Sequence, residues 1–428
     1  MFTTLRNAWK VPDIRKKMLY TLLMFLIYRL GAHVPVPGVN AEYISTAISN
    51  NTLGSFIDLF SGGALSAASL FALGITPYIT GQIIMQLLTM AIPALERLQK
   101  EGPEGRKKIA SITRYVGVGL GLVQAISTLL VLKNSAEKVG LSLMLNTGAP
   151  EILSYITVVM CLTAGTALII WIGERITENG VGNGISLLIF ISIISRLPVE
   201  TIKIFSNAAA GNISYWVVAL IVVAALFIVT AITFIDMGER RIPVQYAKRV
   251  VGRKMYGGQS THIPMKINQS GVLPLIFAIT LLQFPQMILS FIPGDASSKY
   301  DAVMNSKQPL YMILNALLIF FFTFFYSQVT FNTVDVAKNI QQNGGFIPGI
   351  RAGKPTSDYL QKILTRVTLF GAVFLALVAT IPNIFTALAG QSTSMGATSL
   401  LIMVSVALET TRQLESHLMM RHYKGFLK

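Results

Sequence analysis

The stretch that comes nearest to a chemical motif is Gly349-Ile350-Arg351-Ala352-Gly353-Lys354-Pro355-Thr356. A phosphate-cradling loop needs glycine five residues before its Gly-Lys pair and Ser or Thr directly after it. Pro348 and Pro355 stand at those two positions, so the stretch fails as a nucleotide site, and no other candidate exists. His33, His262, His417 and His422 are scattered without ligand spacing. Cys161 is the only cysteine, which leaves no intrachain disulfide and no thiolate cluster. No catalytic, metal-binding or cofactor-binding set is expected, and the chain reads as a non-enzyme. Glu96, Glu174, Glu178, Asp236, Asp335 and Glu409 fall at the ends of apolar runs or in loops. Arg29 is the one charge well inside an apolar run, close enough to its end to snorkel. Arg196, at the very end of the run 184–197, is counted with the outside segment that follows. The polar groups left inside the runs are neutral: Thr80, Gln82, Gln86, Gln124, Gln283 and Asn315. Such groups suit reversible helix–helix hydrogen bonds of about 0.6–2 kcal/mol each.

The elements that carry these residues are membrane spans. Hydrophobic residues make up 53% of the 428 and charged ones 13%, with a mean hydropathy of +0.60. Soluble domains carry about 25% charge, so the chain is a polytopic membrane protein. Ten apolar runs approach the ~20 residues that a spanning helix needs. They are 18–34, 75–92, 115–132, 152–172, 184–197, 216–235, 272–292, 310–331, 367–384 and 398–408. The N-terminal segment has no small-residue cleavage site after the first run, which reads as a retained span. With the N-terminus inside, 28 Lys and Arg fall in inside segments and 6 in outside ones. That asymmetry places both termini in the cytoplasm. Ten spans divide into five and five, 1–210 and 211–428, and an odd number per half forces opposite orientations, the logic of inverted repeats.

Leu59–Ile92 is the stretch around which the rest is organised. Its first half is rich in Gly, Ala and Ser and carries no charge, its second half can span, and a Gly74–Pro77 break separates them. A helix broken in lipid is tolerated only where protein or a water-filled cavity meets the freed backbone groups. The stretch therefore reads as a half-helix followed by a span, or as a re-entrant hairpin that fills space. Two long inside loops, 237–270 and 335–366, are basic and show no core-forming apolar face. Both are expected to project from the membrane as docking surfaces for an acidic or RNA-bearing partner.

The motifs FSGGALS, FALGITPYIT, GERITENGVGNGIS, ERRIPVQYAKR, QSTHIPMKIN, GVLPLIF, FNTVDVAKN, GGFIPGIRAGKPT and TSLLI run from the second span to the last. Together they resemble the SecY family, the channel subunits of the bacterial protein translocase. The resemblance implies an all-α fold of ten transmembrane helices in two inverted five-helix halves around a central pore with a lateral gate. It implies passage of unfolded secretory polypeptides and sideways release of apolar segments into the bilayer of the bacterial cell membrane. The drive comes from a SecA ATPase or a ribosome, and SecE and SecG complete the assembly.

By the same resemblance the constriction falls on Ile75, Ile79, Ile185, Ile189, Ile276 and Ile402. A half-helix at about 60–72, with Phe60, Ser61, Gly62, Gly63, Ala64, Leu65 and Leu70, corresponds to the plug. Thr80, Gln86, Gln283 and Phe284 fall at the lateral gate. Arg240, Arg241, Lys248, Arg249, Arg351 and Lys354 fall where a motor or ribosome docks. The alternative from another class is a secondary transporter of small solutes on an inverted bundle, which calls for a charged midplane residue that the sequence does not offer. An insertase without a through-pore fits ten spans poorly.

Overall fold

Apolar helices dominate because a chain in lipid must satisfy every backbone N–H and C=O internally. The computed structural model describes residues 2–41, 43–44, 58, 60–139, 150–211, 214–246, 249–251, 254–256, 260–292, 296–304, 308–389 and 397–425. The helices named below are α1 (Phe2–Lys10), α2 (Pro12–Gly31), α3 (Thr76–Ala91), α4 (Pro93–Lys100), α5 (Pro103–Val139), α6 (Glu151–Asn179), α7 (Gly184–Ala209) and α8 (Tyr215–Met237). Then come strands β1 (Glu239–Tyr246), β2 (Arg249–Val251), β3 (Lys254–Tyr256) and β4 (Ser260–Lys266). The chain continues as α9 (Leu273–Leu289), α10 (Ala296–Val303), α11 (Pro309–Thr330), α12 (Thr333–Gln342), β5 (Gly345–Phe346), α13 (Lys354–Ala389) and α14 (Ala397–Gly425).

Each of the ten apolar runs lies on one of these helices, and six helices among the described residues are long and apolar enough to cross a membrane. The second run is a bent case: α3 and α4 meet at 99°. Pro93 begins α4, and a proline cannot donate the hydrogen bond that would continue α3. Several hydroxyls within spans are satisfied by their own helix, as with Thr89 to Met85 O (2.6 Å), Thr166 to Leu162 O (3.1 Å) and Thr323 to Ile319 O (2.6 Å).

Cα proximity divides the chain into two units. The first holds residues 1–218, 280–308 and 406–428, and the second 219–279 and 309–405. In the first, α3 packs on α5, α5 on α6, and α6 on both α2 and α7. Glycines let these helices approach: a Cβ on Gly81 of α3 would sit 3.1 Å from Gly117 Cα of α5, and one on Gly121 would sit 3.1 Å from Thr166 of α6. α10 is tied to α9 through Tyr300, whose hydroxyl donates to Leu282 O at 2.6 Å. Burial pushes that phenol's pKa above the ordinary tyrosine value.

In the second unit α11 and α12 pack on α13, and a three-stranded sheet stands beside them in the order β4-β1-β5. β1 pairs antiparallel with β4, Ile242 opposite Ile263 and Val244 opposite Thr261, and with β5, Gln245 opposite Phe346. This corrects two expectations, a purely α-helical chain and loops without a core. Ile242, Val244 and Met265 from the first loop join Ile340, Ile347, Leu360, Ile363 and Leu364 from the second in one buried cluster. Each loop supplies only part of a shared apolar core. Along β1, Ile242 and Val244 are buried while Arg241, Pro243 and Gln245 are exposed, the period-2 alternation of a half-buried strand.

Leu360 is fully buried in this cluster. Leu360→Ala should cost about 2–5 kcal/mol of local stability. Hydrogen exchange should show β1 and β4 opening faster while α5 and α6 are unchanged; equal protection of the strands would mean the two loops fold independently.

Candidate functional site

The break at Gly74–Pro77 is where the sequence places it, but what precedes it is not a half-helix. Helix is described only at Asp58 and Phe60–Ser61, and residues 62–75 form successive turns with a bridge between Pro35 and Ser69. The reason is conformational. Gly62, Gly63, Ala68 and Gly74 have φ of 68°, 90°, 49° and 59°, left-handed values that end a right-handed helix. Space also enforces glycine here: a Cβ on Gly74 would lie 3.1 Å from Ser61 Cα, and one on Gly62 would lie 3.0 Å from Ser192 Cα of α7.

The segment is buried even though it lacks a helical ladder, so its backbone groups find partners nearby. Val36 N–H donates to Ala68 O at 2.8 Å and Leu70 N–H to Val34 O at 2.9 Å. Phe71 stacks on Tyr28 of α2 with ring centroids 5.7 Å apart, and the Tyr28 hydroxyl meets Ser192 Oγ at 2.7 Å. Arg29 does not snorkel: its guanidinium donates to Gly62 O at 3.3 Å and to Ser195 Oγ at 3.0 Å. Phe60, Ser61, Ala64 and Leu65 are buried, Gly63 and Leu70 half-buried. Two residues that sequence reasoning passed over, Asp58 and Arg196, form an ion pair at the start of the segment. Arg196 was counted with an outside loop, but α7 runs on through Pro198 to Ala209 and carries it.

The isoleucines occupy defined places within each unit. Ile75 immediately precedes α3 and Ile79 lies one turn on, both buried. Asn183 caps α7 by accepting from Ile185 N and Ser186 N, which fixes the helix start at Gly184, with Ile185 in the first turn and Ile189 one turn later. Ile189 is buried and Ile185 half-buried, its Cγ1 3.2 Å from where a Cβ on Gly173 would stand. In the second unit, Ile276 near the start of α9 and Ile402 on α14 are both buried.

Three of the four residues expected at a lateral gate come together. Thr80, Gln283 and Phe284 line one cleft of the first unit with Thr76, Leu120, Gln124, Ser127, Thr280 and Met287. Gln86 is half-buried farther along α3 and does not line it. Beside the cleft, Ser127 Oγ and Ser290 Oγ lie 2.7 Å apart, a direct polar tie between α5 and the chain just past α9. These two serines were not singled out in the sequence, because a lone serine in a span usually bonds its own helix.

Among the docking residues, Arg240, Arg241, Arg351 and Lys354 are exposed. Arg241 Nε donates to Glu239 Oε1 at 2.7 Å. Arg351 sits between Gly349 and Gly353, whose φ of 81° and 98° build the tight loop tip that the sequence suggests. The Thr356 hydroxyl donates to Arg351 O at 2.8 Å and closes that tip. Lys248 lies outside the described residues, as does the side chain of Arg249.

Together these features define a class: a multi-pass helical membrane protein with a buried non-helical segment inside one bundle and a basic domain outside the spans. Residues 69–411 match the SecY protein family. The protein translocase subunit SecY of Streptomyces galbus is 44% identical over 443 residues, covering 100% of both chains. That of Mycobacterium bovis is 41% identical over 447 residues with the same coverage. A solved protein-conducting channel covers 94% of this chain and 92% of its own at a TM-score of 0.62 and 20% identity. Sec61 in a canine ribosome–channel complex gives a TM-score of 0.60 at 17% identity, over 94% and 92%. At those identities the solved structures share the fold. The chain belongs to the SecY family, and the transporter alternative has no support.

Removing the polar tie should loosen the cleft. Ser127→Ala with Ser290→Ala deletes one net hydrogen bond, about 0.5–1.5 kcal/mol. Crosslinking between cysteines placed on α5 and α9 should then fall in yield; an unchanged yield would mean that packing alone holds the cleft.

Proposed function

We propose that the chain is the protein-conducting channel of a bacterial translocase, passing unfolded polypeptides across the membrane and releasing apolar segments sideways into the bilayer. The observation that carries this reading is the buried run of turns that leads into Ile75, an obstruction built without a helical ladder inside a helical bundle. Full-length kinship with translocase subunits supplies the cargo.

In this reading ten helices span the membrane in two inverted halves, 1–210 and 211–428, with both termini cytoplasmic. Ile75, Ile79, Ile185, Ile189, Ile276 and Ile402 form the constriction. Branched aliphatic tips offer water no hydrogen bond, so such a ring dewets and blocks ions while deforming around a chain of any sequence. Residues 60–72 act as the plug, and Thr80, Gln86, Gln283 and Phe284 belong to the lateral gate, where signal-sequence-bearing polypeptides enter the lipid bilayer. SecE and SecG are membrane partners. SecA or a ribosome supplies the drive, and ribosome-bound channels are among the solved structures of this fold.

The domain built from the two loops is the docking surface, with Arg240, Arg241, Lys248, Arg249, Arg351 and Lys354 as its charges. Arg351 is the anchor: an exposed guanidinium on a rigid tip can bind a carboxylate or phosphate in a bidentate way, which lysine cannot.

Two measurements test the reading. Arg351→Glu should abolish motor-driven export with the motor present, and Arg351→Lys should impair it. Loss of such an anchor costs about 2 kcal/mol or more, roughly thirtyfold in affinity, so wild-type export from both variants would refute the docking role. Ile402→Asn puts an amide in an apolar constriction and should raise ion leak across reconstituted vesicles; an unchanged leak would remove Ile402 from the ring.

A further inference from the structure

Asp58 lies directly before the run of turns, and only 2% of it is exposed. Its carboxylate is held from two directions. Ser66 donates its backbone N–H at 2.9 Å and its hydroxyl at 3.0 and 3.1 Å to the two oxygens, which folds the segment back on itself. From outside the segment, Arg196 of α7 donates Nη1 at 2.5 Å. The Arg196 side chain is 20% exposed and also lies 3.7 Å from Glu200, which has Lys203 as a second partner at 3.4 Å. Arg29 of α2 donates to Gly62 O and to Ser195, the residue next to Arg196. Two framework helices thus each extend one arginine to the segment, and Arg196 makes the charge-to-charge contact.

A buried ion pair adds little net stability, because desolvating both charges offsets most of their attraction. Its use is positional: two charges taken out of water hold one arrangement, and removing one leaves the other without its partner. The turns add no helical ladder to hold the segment, so its position depends on a few such contacts. We infer that the Asp58–Arg196 ion pair is a latch that keeps segment 60–75 seated in the bundle, with Arg196 a positioning residue for closure. The inference rests on the reading of that segment as the plug. The stretch Leu59–Ile92 carries no charge in its first half, and the charge that holds it lies one residue outside, at Asp58. A competing account makes Asp58 a local fastener that only closes its own turn through Ser66. Arg196→Ala separates the two, because it cuts the tie to α7 and leaves both Ser66 bonds in place, with Glu200 still paired to Lys203.

The experiment measures ion leak from vesicles holding the full-length chain in its natural assembly. It compares wild type, Arg196→Ala, Arg196→Lys, Asp58→Asn and a deletion of residues 60–72, with melting temperature and monodispersity recorded for each. The latch predicts that Arg196→Ala leaks about tenfold more than wild type, approaching the deletion, and that Arg196→Lys restores the seal by restoring the charge. Asp58→Asn is isosteric, still accepts from Ser66, and should leak as Arg196→Ala does; it carries the test if Arg196→Ala is poorly folded. A sealed Asp58→Asn or Arg196→Ala channel beside a leaking deletion overturns the latch and leaves the plug reading intact. Equal leak from the alanine and lysine variants overturns it too, because shape and not charge would then matter. A deletion that stays sealed overturns the plug reading, and the latch with it.

Discussion

The structure depends on one constraint: a stretch of backbone without a helical ladder has to be satisfied where water is scarce. Residues 62–75 cannot be helical, since Gly62, Gly63, Ala68 and Gly74 all take left-handed φ. Each unmade helical bond is then a debt of a few kcal/mol unless a partner is near. The surrounding helices are arranged to provide those partners. Arg29 of α2 donates to Gly62 O, and the chain after α2 supplies Val34 and Val36, while α7 backs these partners with Ser192 against Tyr28, Ser195 against Arg29 and Arg196 against Asp58. Gly165 of α6 has no room for a side chain because Leu70 O would lie 1.9 Å from its Cβ. A framework fitted this closely to one irregular segment explains why glycine and serine crowd into the helices that face it.

The two loops of the second unit solve a different problem, how to hold exposed charge on a rigid base. Their sheet is small, and a two-residue β5 could not persist alone. It holds because β1 covers a core whose other half arrives about a hundred residues later, on α12 and the start of α13. Since α13 continues from that core into a span, the Arg351 tip stands three residues before a helix that is long and apolar enough to cross a membrane. Force applied at Arg351 therefore reaches the spans through a continuous helix that begins at Lys354.

Much of this was legible in the sequence, and the gaps have physical causes. Every apolar run lies on a helix, because span length and hydropathy are local properties. Gly117 and Gly121, four residues apart in the third apolar run, do let α5 approach α3 and α6 respectively. The break before Thr76 was legible because Gly74 and Pro77 act through their own backbone. By contrast, the shared core of the loops was hidden because Ile242 and Leu360 are apolar residues of separate segments, and each segment supplies only part of it. The alternation in Glu239–Tyr246 was a usable signal, but it was obscured by three consecutive charges at its start. The Asp58–Arg196 pair was hidden for the same reason, as its members lie 138 positions apart. The run of turns was misread as a half-helix because small residues do not announce the sign of their φ.

A segment made of turns also differs from a helix in how it yields. A helix melts cooperatively, since its first broken turn weakens the next. Turns closed one at a time, such as Ser69 N–H to Ala64 O at 2.9 Å and Gly74 N–H to Phe71 O at 2.9 Å, share no such ladder. Residues 62–75 can accordingly unfasten by increments from either end. On the proposal that this segment is the plug, clearance for an advancing chain would grow with the chain's width instead of switching between two fixed bores.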